Sequence, residues 1–123
     1  MQATLCDTFT MEVSAWQSQL RKGATELVVL ALLEQGEAYG LQILERSNAG
    51  GELVSDGALY PLLIRLEKAG RISARWETGE SGNPRKYYRL TAEGSRLLKT
   101  MRAHWIDFRI TIASIVEKDH DQH

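Results

Sequence analysis

The side chains of this chain best equipped for chemistry are bases, and they are clustered. Residues 71–102 carry Arg71, Arg75, Arg85, Lys86, Arg89, Arg96, Lys99 and Arg102 against three acids, Glu77, Glu80 and Glu93, a local net charge of +5. Residues 1–70 hold five bases and nine acids, net −4, and residues 103–123 hold two bases and four acids, net −2. The formal charge of the 123-residue chain, −1, conceals this division. A surface field follows local arrangement more than the total, and a basic stretch of this kind suits a phosphate backbone. Arg85 and Lys86 directly follow Gly82-Asn83-Pro84, so both are expected to project from a turn.

Other chemistries are poorly provided for. His104, His120 and His123 all lie in the last 20 residues, away from any candidate nucleophile. With Cys6 the one cysteine, no cysteine-based zinc site or internal disulfide can form, and no metal or cofactor is expected. Gly79-Glu80-Ser81-Gly82-Asn83 lacks the second glycine of a nucleophile elbow. Neither a phosphate loop nor a dinucleotide fingerprint occurs, so the chain is not expected to be an enzyme. The longest apolar run, Leu27–Leu33, is seven residues, far short of a membrane span. No base precedes Arg21, so a signal peptide is not expected, and the expected location is cytoplasmic.

The elements that must position the bases follow from periodicity. Residues 1–10 carry no pattern. Val13, Trp16 and Leu20 suggest a short helix over 12–22, stopped by Gly23; Trp16 needs a surface to cover, in this chain or a partner. Thr25 is the expected cap of a nearly all-apolar helix ending at Gly36, and Ala38–Ser47 of another with Leu41, Leu44 and Ile43 inward. Asn48–Gly51 reads as a loop. A third helix starts at Ser55-Asp56, buries Leu59, Leu62, Leu63 and Leu66, and turns Gly57, Tyr60, Pro61, Ile64, Arg65 and Lys68 outward until Gly70 ends it. Ile72, Ala74 and Trp76 then alternate with Ser73, Arg75 and Glu77 in a strand, and Lys86–Leu90 returns as its hairpin partner. Of Tyr87 and Tyr88, one must face in and one out. Thr91 caps a last helix, although Gly94 stands where a capping box places Glu. On it Leu98, Met101, Trp105, Phe108, Ile112 and Ile115 step by three and four, a heptad seam widened by Ile106 and Ile110.

Three helices, a hairpin and a helix is the order of a winged helix-turn-helix: α+β, mainly α, with a long C-terminal helix for dimerisation. Its divisions are an N-terminal extension with a short helix (1–23), a DNA-binding domain (24–91), the dimerisation helix (92–118) and a polar tail (119–123). Leu20-Arg21-Lys22-Gly23, Tyr39-Gly40, Gly57-Ala58-Leu59-Tyr60-Pro61, Leu66-Glu67-Lys68, Arg85-Lys86-Tyr87-Tyr88 and Leu90-Thr91-Ala92-Glu93-Gly94 stand in an order that resembles the PadR-like transcriptional regulators, over roughly Leu20 to Val116.

The resemblance implies a homodimeric, usually repressing regulator that binds double-stranded DNA at a pseudo-palindromic operator. In some members of the family an interface cavity takes small aromatic effectors, with a tryptophan of the C-terminal helix in its wall, and Trp105 stands at the matching place. The expected DNA-binding residues are Ser55, Gly57, Ala58, Tyr60, Pro61, Ile64, Arg65 and Lys68 on the third helix and Arg85, Lys86 and Tyr87 on the wing. The expected dimer interface is Trp16, Leu98, Met101, Trp105, Phe108, Ile112 and Ile115. Ala58 and Ile64 depart from the family, which often places a hydroxyl and a polar side chain there. A second reading is a winged-helix module for protein–protein contact, as adaptor or scaffold; the basic wing favours DNA.

Overall fold

A computed structural model describes residues 2–80 and 82–118. In chain order the elements are α1 (Gln2–Glu34), β1 (Ala38–Tyr39), α2 (Gly40–Ser47), α3 (Asp56–Lys68), β2 (Ile72–Thr78), β3 (Pro84–Leu90) and α4 (Ala92–Val116). The sheet order is β1-β3-β2, both pairings antiparallel, with Ile72 opposite Leu90 at the base of the hairpin and Thr78 opposite Pro84 at its tip. This is the winged helix-turn-helix that the order of elements predicts. The tail at 119–123 lies outside the described residues.

Several expectations about the first half are corrected. α1 is a single helix of 33 residues, running through Gly23 where a stop was expected and covering the patternless first ten residues after Met1. Glycine within a helix costs only about 1 kcal/mol against alanine, which the apolar stretch behind it outweighs. Thr25 does not cap: its hydroxyl donates to the carbonyl of Arg21 at 2.6 Å, one turn back in the same helix. Likewise α2 begins at Gly40, not Ala38. Ala38 and Tyr39 pair with Tyr88 and Tyr87 of β3. The consequence for burial is that Ile43 is wholly inside and Leu41 outside.

The core lies between the helices and the inner face of the sheet. Val29, Leu30 and Leu33 of α1, Ile43 of α2, Leu59, Leu62, Leu63 and Leu66 of α3, Ile72 and Tyr88 of the hairpin and Leu98 of α4 are all buried in one cluster. Leu98, expected at a dimer interface, is therefore an internal residue: it is fully buried against the chain's own core. The α2–α3 turn is organised by Asn48, whose amide donates to the carbonyls of Leu44 (3.0 Å) and Val54 (2.8 Å). Its oxygen accepts from the N–H groups of Leu53 (2.7 Å) and Val54 (2.9 Å). At the base of the hairpin, Thr91 accepts from the Gly94 N–H and donates to the Gly70 carbonyl, fastening the start of α4 to the end of α3.

Candidate nucleic-acid interface

α3 is the element that offers side chains to a groove. The Ser55 hydroxyl accepts from the Ala58 N–H at 3.2 Å and so caps the helix. Leu59, Leu62, Leu63 and Leu66 anchor one side of it. The opposite side leaves Gly57, Tyr60, Pro61, Ile64, Arg65 and Lys68 exposed, with Ala58 half-buried at the edge. Pro61 lies inside the helix and has no N–H for the Gly57 carbonyl, yet the helix runs on to Lys68. Tyr60 is only partly free. Its ring lies against Gly40, where an added Cβ would fall 2.7 Å from Cε1. Arg65 is held by Glu26 of α1 at 3.2 Å.

The period of the hairpin separates the wing residues. Lys86 pairs across from Trp76, and both share the inner face with Tyr88. Lys86 Nζ donates to Glu67 of α3 at 3.0 Å and lies 5.4 Å from the Tyr88 ring centroid. Hydrogen bonding to Glu67 raises the ammonium's pKa above its ordinary value, while burial raises that of the Tyr88 hydroxyl. Lys86 is thus a strut between wing and α3. Arg85 and Tyr87 point to the outer face, away from α3. Tyr87 makes an edge contact with Tyr39 at 5.4 Å, Arg75 lies over the Tyr87 ring, and Arg85 lies over the Tyr39 ring at 4.6 Å. The structure therefore does not bring Tyr87 together with the exposed side of α3.

Charge in space differs from charge along the chain. Three bases of the +5 stretch are answered by acids of the −4 stretch. Arg102 meets Glu34, Arg75 meets Glu37, and Lys86 meets Glu67. Arg75 also meets Glu77, while Arg71 and Arg96 both meet Glu93. The guanidinium groups of Arg102 and Arg75 hold Glu34 and Glu37 below the usual carboxylate range. Among the described residues, bases without an ion pair include Lys68 on α3, Arg85 on the outer face of the wing, and two that sequence reasoning did not select, Arg21 and Lys22. Arg21 and Lys22 line a small cleft of about 140 Å³ with Ser55 and Ala58, at the start of α3. Their adjacency in Leu20-Arg21-Lys22-Gly23 was the available signal.

A second feature lies between α1 and α4. Leu20, Gly23, Leu27, Met101, Trp105 and Phe108 line an open groove of about 710 Å³, with Trp105 45% exposed. Met101 packs partly on the core; Trp16, Phe108, Ile112 and Ile115 are exposed, as are Ile106 and Ile110. Phe9, Val13 and Trp16 lie along one side of α1 and are likewise exposed among the described residues. No described helix is long and apolar enough to cross a membrane.

Comparison with known proteins gives a consistent result. A profile described as the transcriptional regulator PadR-like family matches residues 29–100. The chain is similar to a PadR family transcriptional regulator from Eggerthella lenta, with 33% identity, a TM-score of 0.78, and coverage of 91% of this chain and 98% of the other. A PadR-like transcription factor from Bacteroides fragilis is 35% identical, with a TM-score of 0.67 over 83% of this chain and 99% of that one. An uncharacterized protein of Lysinibacillus sphaericus is 28% identical over 105 residues, spanning 82% of this chain and 95% of the relative.

Proposed function

Because this chain belongs to the PadR-like family of transcriptional regulators, we propose that it is a repressor that binds a pseudo-palindromic operator as a homodimer in the cytoplasm. α3 enters the major groove with Tyr60, Pro61 and Ile64 toward the bases, where Ile64 offers apolar contact only, as to a thymine methyl. Lys68, Arg85, Arg21 and Lys22 take phosphates on either side. The observation that carries this reading is the exposed side of α3 with the wing fixed beside it by Lys86 and Glu67. The apolar surface of α1 and α4 supports the dimer, since a second copy related by a two-fold axis is the natural cover for a self-complementary stripe. Such a dimer presents two α3 helices to half-sites about one DNA turn apart. Flat aromatic effectors suit the groove beside Trp105.

A gel-shift series over salt on the DNA upstream of the chain's own gene tests this. Affinity should fall steeply as salt rises, because the bases release counterions from the duplex. A chain that binds no duplex at low salt, yet remains folded, supports the protein-contact reading instead.

A further inference from the structure

Trp76 is 66% exposed and is absent from the core cluster. Its register determines where it faces. Trp76 lies across from Lys86, so the two side chains leave the hairpin on one face. On that face Ile72 and Tyr88 are buried, and Lys86 is bonded to Glu67 of α3. Trp76 thus stands on the α3 side of the wing, nearer the tip than the core residues. α4 departs from the opposite end of the hairpin, where Gly94 sits against Arg71 and Leu90, so Trp76 is not part of the apolar surface of α4. The Lys86 ammonium lies 6.0 Å from the indole centroid and lends it one bounded side.

We infer that Trp76 is a DNA contact of the wing, laying its indole against deoxyribose at the edge of the minor groove next to the major groove that receives α3. The occupant follows from position and charge. Tyr60, Ile64 and Lys68 are exposed on α3, Lys86 ties the same face of the wing to Glu67 of α3, and Trp76 lies next to Lys86 on that face. This inference rests on the DNA-binding reading above. It adds a contact that carries no charge, and that property makes it separable from the basic ones.

The test uses the full-length chain labelled with 5-fluorotryptophan, its Trp76 resonance assigned by Trp76→Phe, and the upstream duplex as probe. Trp76→Ala should weaken binding roughly tenfold, the order expected from removing part of a large aromatic contact. The loss should be similar at every salt concentration, because an indole neutralises no phosphate and the salt slope stays as in the wild type. Trp76→Phe should recover part of the loss, and the Trp76 fluorine signal should move on adding DNA. Thermal melts of both variants should match the wild type, since the side chain supports no core. Wild-type binding with Trp76→Ala within twofold of it and an unmoved fluorine signal would overturn the inference alone. A wild type that binds no duplex would remove the DNA-binding reading and this contact with it.

Discussion

The ring of Tyr60 occupies the space that a side chain at position 40 would need. A Cβ on Gly40 would lie 2.7 Å from Tyr60 Cε1 and 3.0 Å from its hydroxyl oxygen. The start of α2 and the middle of α3 therefore meet through a glycine and an aromatic edge. Gly40→Ala should push the Tyr60 ring outward, since the ring can turn more cheaply than the backbone can move. The expected outcome is a loss of about 1 kcal/mol or less in stability but a clear loss of DNA affinity. Denaturant melts beside gel shifts measure both; equal affinity with intact folding would show that the Tyr60 position does not matter to the groove.

Gly94 should be intolerant. Its Cβ would fall 1.9 Å from the carbonyl oxygen of Arg71, a backbone atom that cannot turn aside. Gly94→Ala must separate α4 from the α3–β2 turn and break the bonds that Thr91 makes there. A destabilisation of about 2–4 kcal/mol is expected, read as a lower urea midpoint. Gly57 is the contrasting case: nothing lies near its added Cβ. Gly57→Ala should stabilise α3 by about 0.5–1 kcal/mol.

Acid should loosen the contact between α1 and α4. Hydrogen bonding from Arg102 lowers the pKa of Glu34 below its ordinary value of 4.5. A group with a depressed folded pKa stabilises fully above its unfolded value, and that contribution fades as pH falls through the folded one. Glu34→Gln should therefore lower the melting temperature at neutral pH, and the gap from wild type should close as pH falls below 4.5. Both charges are substantially exposed, so the neutral-pH effect is small and shrinks in high salt. A gap that persists undiminished into acid would show that the carboxylate charge is not its cause.

The proposed dimer has a clean test now that the internal and external residues of the seam are separated. Phe108 and Ile115 are strongly exposed, whereas Leu98 and Met101 belong wholly or partly to the core. The double variant Phe108→Glu, Ile115→Glu should keep the wild-type fold by circular dichroism and sediment as a monomer, through two buried charges per interface half. A dimer that survives the change would place the association surface elsewhere.

The elements that were legible in the sequence are those with undisturbed periodicity. Leu59, Leu62, Leu63 and Leu66 gave α3 and its exposed side, the alternation from Ile72 gave β2, and Thr91 gave the start of α4. α1 was misread because Gly23 and Thr25 look like a stop and a cap, and local propensity cannot report the packing that carries the helix past them. Tyr39 escaped because a two-residue strand has no period of its own; it exists only through β3. Gly94 looked like a missing capping residue when its reason was the approach of Arg71. The site suffered from the same limit. Charge was counted along the chain, but Glu34, Glu37 and Glu67 cross to the basic stretch in space. The bases left free include Arg21 and Lys22, from the stretch that counted as acidic.

The unbroken course of α1 turns the molecule into a lever. At a rise of about 1.5 Å per residue, its 33 residues form a rod roughly 50 Å long. One end carries Phe9, Val13 and Trp16 free of the domain, the middle borders the Trp105 groove, and the far end is embedded in the core through Val29, Leu30 and Leu33. The helix is unbroken at Gly23, so a change of angle at the embedded end is carried along it. A tilt of about five degrees about the embedded end displaces the free end by roughly 4 Å over that length. In the proposed dimer, the same angle would set how far apart the two α3 helices stand.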